Sequence, residues 1–120
     1  METLGTHLLV ELWGCDAELI NSASFVENTL VDAAITSGAH VLHSSFHEFS
    51  PQGISGVVII SESHLTIHSW PEFGYAAIDI FTCGKKVDPW IAVIYIEERF
   101  KSSYCKVNNF NRGIKPQEVE

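Results

Sequence analysis

The chain has 120 residues, of which 46% are hydrophobic and 18% are charged, and these proportions fit one globular domain over residues 1–120. Its 15 acidic and 7 basic side chains give a formal net charge of −8. Nucleic acid binding needs a basic surface, so this charge argues against nucleic acid as a partner. The apolar runs near residues 57–60 and 90–96 are far shorter than the roughly 20 residues that cross a bilayer, and we expect no membrane partner.

The three cysteines, Cys15, Cys83 and Cys105, show no CxxC spacing. An odd number of cysteines without paired spacing argues against a disulfide framework and is typical of a reducing compartment. The N-terminus has no basic segment followed by an apolar stretch, so we expect no signal peptide. Together these features predict a cytoplasmic protein.

The first predicted element is a strand over residues 6–13, which is rich in Leu and Val. A helix follows, because Ser24 and Glu27 have the spacing of a capping box with Ser24 as the N-cap. Apolar and small residues then recur at the helical period and predict one buried face: Val26, Leu30, Ala33, Ala34 and Ser37. Gly38 stands where a C-cap glycine is expected.

Extended segments dominate the middle of the chain. We predict strands over residues 40–49, 57–61 and 75–82, with a turn at residues 51–53. A further short extended piece over residues 65–70 ends at Pro71. The run at 57–61 is almost entirely apolar, which is typical of a central strand.

A second helix begins at Asp88 and Pro89, because Asp is a good N-cap residue and proline is favoured at the first helical position. We expect it to run to about Phe100, with Trp90, Val93 and Ile94 facing inward. A last strand is predicted over residues 104–110, and the polar tail over residues 113–120 is expected to be mobile.

The predicted order of elements is β-α-β-β-β-α-β. Because no helix connects the middle strands, this order predicts an α+β fold, a two-layer sandwich with a mostly antiparallel sheet and both helices on one face. The other face of the sheet is left uncovered, and a partner subunit can cover it.

Two histidine pairs, His43/His47 and His64/His68, have the HxxxH spacing of helical metal ligands. Both pairs lie on predicted strands, where four residues span about 13 Å, too far for two ligands of one ion. We therefore predict no metal site.

Residues 61–84 are dense in reactive side chains. A serine hydrolase triad of Ser63, His68 and Asp79 lacks the GxSxG elbow that presents such a nucleophile. Pyridoxal phosphate is disfavoured as a cofactor, since none of the lysines lies in a phosphate-binding context. The plainest alternative is that residues 61–68 form only a polar hairpin.

The segment over residues 61–84, SESHLTIHSWPEFGYAAIDIFTCG, resembles the signature of the bacterial S-adenosylmethionine decarboxylase proenzymes, which process themselves and depend on a pyruvoyl group. Further matches occur in the family's order: LGTHL at 4–8, Phe46 and His47 with Phe49, GISGVV at 53–58, and VDPW at 87–90. The match is weak after about residue 102.

The resemblance implies a role for each matched residue. Ser63 becomes the pyruvoyl group, which forms a Schiff base with the substrate, after cleavage at Glu62-Ser63 into chains 1–62 and 63–120. His68 resembles the processing base, and Ser55 resembles a serine that assists processing. The other matched residues are Cys83 as the proton donor, Phe49 as the platform for adenine and Glu72 as the ligand of the ribose hydroxyls.

These residue types suit the reaction. Decarboxylation of an amino acid leaves a carbanion, and protein side chains offer no electron sink for it, whereas a pyruvoyl carbonyl does. Imidazole groups titrate near neutrality and serve as bases, and a free thiol, with a pKa of about 8.5, gives up its proton readily.

The resemblance also implies a homodimer that pairs sheet to sheet, S-adenosylmethionine as the substrate and a product used in spermidine synthesis. Two other interpretations stay open. The same pyruvoyl chemistry can act on ornithine or arginine, or the chain can be a non-catalytic regulatory subunit.

Overall fold

The computed structural model describes residues 3–116, which form one sheet and one layer of helices. The strands are β1 (Gly5–Trp13), β2 (Val41–Glu48), β3 (Ile54–Ile60), β4 (Ser63–Trp70), β5 (Tyr75–Cys83) and β6 (Tyr104–Arg112). The helices are α1 (Ala17–Ile20), α2 (Ala23–Thr36) and α3 (Pro89–Arg99), and a 3-10 turn covers Pro71–Phe73. Within the described residues the six strands pair antiparallel in the order β2-β3-β4-β5-β1-β6.

The predicted α+β class and antiparallel sheet are confirmed, with a change in the order of elements. Residues 65–70, predicted as a short extended piece, belong to the eight-residue strand β4, so four strands lie between α2 and α3. Helix α1 was not predicted. It begins because the Asp16 carboxylate accepts hydrogen bonds from the backbone amides of Glu18 and Leu19 at 3.0 and 3.1 Å.

The N-cap of α2 is Ser22, and the prediction of Ser24 is wrong. The Ser22 hydroxyl accepts a hydrogen bond from the Phe25 amide at 3.2 Å, which starts the helix before Ser24. Glu27 closes no capping box, because its carboxylate accepts a hydrogen bond from the Ser44 hydroxyl of β2 at 2.6 Å. The predicted buried face of α2 is confirmed at each position: Val26, Leu30, Ala33, Ala34 and the C-cap Ser37.

Helix α3 begins as predicted, with Asp88 as the N-cap and Pro89 in the first turn. Its buried face differs from the prediction, since Val93 is buried but Trp90 and Ile94 are 44% and 54% exposed. The residues that pack inward are Ala92, Val93, Ile96 and, after the helix, Phe100. Each residue turns a helix by about 100°, which leaves Trp90 and Ile94 on the flank of that stripe.

The hydrophobic core lies between the sheet and the helices, and alternate residues of each strand point into it. The fully or nearly fully buried strand residues are Leu8, Val10, Leu12, Ile54, Val58, Ile60, Leu65, Ile67, Ala76, Ile78 and Ile80. Helix α2 packs on β2 and β3, and α3 packs on β1 and β5, so both helices cover one face. Burial of each Leu or Ile side chain contributes roughly 1.5–3 kcal/mol to the free energy of unfolding. A one-residue shift in the pairing of a strand would move its buried side chains to the other face, so the core fixes the register.

The register also fixes what the opposite face carries. We call this the open face, because its side chains are half-buried or exposed in the single chain. Its apolar members include Leu9, Val57, Ile59, Phe81 and Phe110. The predicted uncovered face of the sheet is therefore present.

The C-terminal strand ends at Arg112, whose carbonyl accepts a hydrogen bond from the Leu4 amide at 3.0 Å. The tail predicted to be mobile covers residues 113–120, of which residues 117–120 lie outside the described residues. No helix in residues 3–116 combines the length and the apolar character that crossing a bilayer requires.

Candidate active site

Strands β3 and β4 form a tight hairpin, in which Ile60 pairs with Ser63 and only Ser61 and Glu62 make the turn. Both turn residues are exposed, and Ser63 is half-buried as the first residue of β4. The Ser61 amide donates a hydrogen bond to the His40 carbonyl at 2.9 Å, which holds the turn against the start of β2. The Glu62–Ser63 peptide bond therefore lies at the tip of the hairpin.

Cys83 lies at the same end of the sheet. It is the last residue of β5, which neighbours β4, and it pairs with Gly5 of β1. The next residue, Gly84, has a φ of +76°, a conformation that favours glycine, and its position lies close to the Glu62 carboxylate. We call Glu62, Ser63 and Cys83 the turn cluster.

The other two cysteines have surroundings that suppress thiol chemistry. Burial raises the pKa of the Cys15 thiol to about 11, with a smaller contribution from Cys105. Burial, with Glu97 nearby, also raises the pKa of Cys105. Among the cysteines, Cys83 alone lies next to the hairpin tip.

His68 and Ser55 are neighbours at the other end of the sheet. Their backbones pair across β4 and β3, and the Ser55 hydroxyl lies 2.7 Å from Nδ1 of His68. The imidazole is exposed on the open face.

Phe49 and Glu72 lie at the same end of the sheet as this histidine. Phe49 follows the end of β2, is 47% exposed, and its ring centroid lies 4.5 Å from that of His47. Glu72 is exposed in the 3-10 turn that follows β4. We call His68, Ser55, Phe49 and Glu72 the distal cluster.

The structure places the members of each cluster at one end of the sheet, and the two clusters at opposite ends. Ser63 and His68 stand on the same strand, five residues apart, and an extended strand of that length spans about 16 Å. His68 therefore cannot touch Ser63 of its own chain. A base acting at Ser63 has to come from elsewhere.

The rejected alternatives have no geometric support. Asp79 pairs with Thr66, and its carboxylate lies 3.9 Å from Nε2 of His7, not beside His68, so Ser63, His68 and Asp79 form no triad. No group of three or more His, Cys, Asp or Glu side chains within residues 3–116 is arranged to hold a metal ion.

Sequence reasoning missed a polar chain on the open face. Nη1 of Arg112 lies 3.0 Å from Nδ1 of His7, whose other ring nitrogen faces Asp79. Burial lowers the pKa of His7, and Arg112 and His64 lower it further, while Asp79 opposes the shift. Arg112, His7 and Asp79 lie on three different strands, so no local pattern in the sequence connects them.

An aromatic stack was missed as well. Tyr75 stacks between Trp13 and Trp70, with centroid distances of 4.4 and 5.2 Å, and its hydroxyl donates to the Glu11 carboxylate. Burial and the hydrogen bond to Glu11 raise the pKa of Tyr75 to about 12. The alternation of strands β1 and β5 places these side chains on one face, which pattern reading could have shown.

A cavity of about 310 Å³ lies behind the hairpin tip. The turn residues Ser61 and Glu62 line one side of it, and Gly38, His40 and Lys86 line the other. The turn is therefore not packed tightly against the helical layer.

Comparison with known proteins agrees with this geometry. The family model for S-adenosylmethionine decarboxylase matches residues 6–113. The S-adenosylmethionine decarboxylase proenzyme of Clostridium kluyveri is 54% identical over 120 residues, which cover 100% of this chain and 95% of that protein. The proenzyme of Caldicellulosiruptor saccharolyticus is 52% identical over 120 residues, which cover 100% of this chain and 97% of that protein.

The solved structures point the same way. The crystal structure of the adenosylmethionine decarboxylase from Aquifex aeolicus VF5 superposes with a TM-score of 0.90 at 32% identity, covering 98% of this chain and 97% of that chain. The resemblance first found in residues 61–84 thus extends through the sheet that carries both clusters. On sequence and fold together, this chain belongs to the S-adenosylmethionine decarboxylase family.

Proposed function

We propose that this chain cleaves itself between Glu62 and Ser63 and then decarboxylates S-adenosylmethionine, using a pyruvoyl group made from Ser63. The observation that carries the proposal is the position of Ser63 at an exposed hairpin tip, at the same end of the sheet as the free thiol of Cys83, in a chain of this family. The reaction supplies an aminopropyl donor for spermidine synthesis.

Processing uses atoms of the hairpin tip. Oγ of Ser63 attacks the Glu62 carbonyl, and the peptide bond becomes an ester as the C–N bond breaks. A base then removes the Cα proton of Ser63, and the ester carboxylate leaves with chain 1–62. Hydrolysis of the remaining residue releases ammonia and leaves a pyruvoyl group at the start of chain 63–120. The exposed turn gives water access to this step.

The base in this scheme is His68, oriented by Ser55. When the N–H group at Nδ1 of His68 donates a hydrogen bond to the Ser55 hydroxyl 2.7 Å away, Nε2 carries no proton and can accept one. Because His68 cannot reach Ser63 of its own chain, this role requires a second copy of the protein.

We propose that two copies pair through their open faces. A two-fold axis that lies between the sheets and across the strands places the turn cluster of one copy over the distal cluster of the other. Two complete sites result, each built from both chains. The apolar side chains of the open face, among them Ile59 at 41% and Phe110 at 51% exposure, are buried by the pairing.

The residues of the hairpin tip fit a pyruvoyl group, since Ser63 needs only its own hydroxyl, the preceding carbonyl and a base. Once formed, that group supplies the carbonyl that accepts electrons as carbon dioxide leaves. Cys83 then delivers a proton to the substrate carbon, a role that its thiol at the end of β5 can fill.

Phe49 and Glu72 favour S-adenosylmethionine over ornithine or arginine. An exposed aromatic ring can stack on adenine, and a carboxylate can accept two hydrogen bonds from a ribose diol. A small basic amino acid has neither group.

Intact-mass measurement tests the processing step. Wild-type protein should give two chains that meet at Glu62/Ser63, the second with a blocked N-terminus. Ser63→Ala should stay as one chain, whereas Ser61→Ala, a serine of the same turn, should still be cut. Cleavage of Ser63→Ala at this bond would overturn the mechanism.

Release of carbon dioxide tests the substrate. Processed protein should act on S-adenosylmethionine and not on ornithine or arginine. The reverse result would leave the pyruvoyl chemistry standing and replace the substrate. A fully processed protein that releases carbon dioxide from none of them would favour the non-catalytic interpretation.

A further inference from the structure

Five of the six histidines of the chain lie on the open face. They are His7, His43, His47, His64 and His68, and strand alternation places all of them opposite to the helices. The sixth, His40, precedes β2 and lines the cavity behind the hairpin. Imidazole is the side chain whose ordinary titration range lies nearest to neutral pH, so this face gathers most of the groups through which the chain can respond to mild acid.

The histidines form two rows across the sheet. In one row His43 pairs with Ile59, Ile59 with His64, and His64 with Phe81, which pairs with His7. In the other row Ser55 stands between His47 and His68. Side chains opposed in this way lie about 5 Å apart, so the imidazoles interleave with the apolar residues that the proposed pairing buries.

The remaining ionic groups of the open face balance one another. They are Glu11, Asp79, Lys106 and Arg112, two of each sign. The face also carries two phenol groups and one thiol, those of Tyr75, Tyr104 and Cys83. Strands β2, β3 and β4 add no other acid or base to the face. With neutral histidines the strands of the open face therefore carry no net charge, and the carboxylates nearest to it are those of Glu62 and Glu72, in the turns at the two ends of β4.

Contacts within the chain also favour a neutral imidazole at His7. The Arg112 guanidinium can only donate, so Nδ1 of His7, 3.0 Å from Nη1, accepts and carries no proton. Nε2 of His7 is buried and makes no hydrogen bond within the described residues. Protonating Nδ1 would set an N–H group against the guanidinium.

We propose that the open faces of two copies pair only while these histidines are neutral, so that the dimer dissociates as the pH falls below neutrality. The inference rests on the sheet-to-sheet pairing proposed above. Pairing would bring two identical faces together, and protonation would place up to five cations of each copy in one interface, where they outnumber the two carboxylates at its ends, Glu62 and Glu72. Because each proposed site combines clusters from two chains, dissociation would also separate the two halves of the site.

The direction in which dimer affinity changes with pH distinguishes this inference from an effect of net charge. Protonation of all histidines brings the whole chain from a net charge of −8 toward neutrality, near its pI of about 5.1. Net charge alone therefore predicts tighter self-association as the pH falls. The histidine-rich face predicts the opposite.

Sedimentation equilibrium of the Ser63→Ala protein, which stays as one chain in the proposed scheme, tests the inference from about pH 8 to about pH 5.5. The dimer dissociation constant should rise by at least about tenfold between pH 7.5 and pH 6, because each proton taken up on dissociation adds up to one decade per pH unit. Far-UV circular dichroism of the same samples should show a folded monomer at the acidic end.

The matched variants replace exposed side chains only, so they should keep the fold. His43→Gln with His47→Gln, both exposed on the edge strand β2, should reduce the slope of the dissociation constant against pH, and His40→Gln should leave it unchanged. A dimer whose affinity is independent of pH, or tightens on acidification, would overturn the inference and leave the pairing intact. An equal effect of His40→Gln, or unfolding at the acidic end, would also overturn it. A monomer at every pH would overturn the pairing itself.

Discussion

The two ends of the sheet carry different kinds of chemistry. In the proposed scheme the turn cluster holds the atoms that change their bonds: the carbonyl of Glu62, the hydroxyl of Ser63 and the thiol of Cys83. The distal cluster holds the groups that the scheme assigns to proton transfer and binding: an imidazole with its serine, an aromatic ring and a carboxylate. Strand β4 begins in the first cluster and has His68 near its other end.

This difference teaches that neither end is a complete site. A β-strand is extended and rigid, so residues at its two ends cannot converge on one substrate. Two antiparallel copies of the face solve the problem, because each end of one copy meets the unlike end of the other. The predictions below test this division of labour.

The largest effect is expected on self-cleavage when His68 is lost, and mixed dimers show which chain supplies this histidine. His68→Ala should slow self-cleavage by about 100-fold or more, since a positioned base contributes about 10²–10⁴-fold. When it is co-expressed with a Ser63→Ala chain, the His68→Ala chain should be cut, because its partner supplies an intact distal cluster. Intact-mass measurement of the mixed dimers resolves the two chains.

The matched control combines two defects of the turn cluster. Cys83→Ala co-expressed with Ser63→Ala should not regain decarboxylation, because no site then holds both Ser63 and Cys83. If the His68→Ala chain stays uncut in mixed dimers, each site is built within one chain and the division between the ends is wrong.

Cys83→Ala by itself should separate processing from catalysis. The chain should still cut itself, whereas carbon dioxide release should fall by about 100-fold through loss of the proton donor. Cys105→Ala is the control, because burial raises the pKa of that thiol and it lies away from the hairpin tip. Full turnover of Cys83→Ala would assign the proton donor to another group.

Changes at the binding groups of the distal cluster should affect substrate use and not processing. Loss of a base stack costs about 1–3 kcal/mol, so Phe49→Ala should lower kcat/KM for S-adenosylmethionine by roughly tenfold or more. Glu72→Gln should lower it less, through loss of a charged acceptor. Trp90→Ala, which removes an aromatic ring of similar exposure on the helical layer, should change little. An equal effect of Trp90→Ala would mean that the Phe49 result reflects stability.

The smallest effect is expected from the aromatic stack of Trp13, Tyr75 and Trp70, which lies at the same end of the sheet as the distal cluster. Tyr75→Phe should lower the free energy of unfolding by about 1 kcal/mol, the usual contribution of one hydrogen bond. Because the folded pKa of Tyr75 is raised to about 12, the wild-type protein should lose this contribution as the pH rises from about 10 towards 12.

Urea unfolding at neutral and alkaline pH measures that loss. The alkaline decrease should be smaller in Tyr75→Phe than in wild type, and Tyr104→Phe, whose side chain is 55% exposed, should behave like wild type. Identical alkaline curves for Tyr75→Phe and wild type would show that the hydrogen bond to Glu11 adds no stability.

The sequence by itself determined the features that depend on neighbouring residues. Alternating apolar positions defined the strands, the spacing from Val26 to Ala34 defined the buried face of α2, and Asp88-Pro89 defined the start of α3. The motif over residues 61–84 also predicted the family. Each of these signals is local, because a period of two or of 3.6 residues is set by the backbone geometry of one element.

Only the tertiary structure decided which of these residues meet. In the folded chain Ser22 is the N-cap of α2, and the Glu27 carboxylate binds Ser44 of the sheet and closes no capping box. Trp90 and Ile94 stay exposed, because the sheet contacts a narrower stripe of α3. The tertiary structure also put Ser63 and His68 near opposite ends of β4 and linked Arg112 to His7. Strand order and register are set by burial of the whole core. A contact between residues more than 100 positions apart, such as that of Arg112 with His7, therefore follows from no local pattern in the sequence.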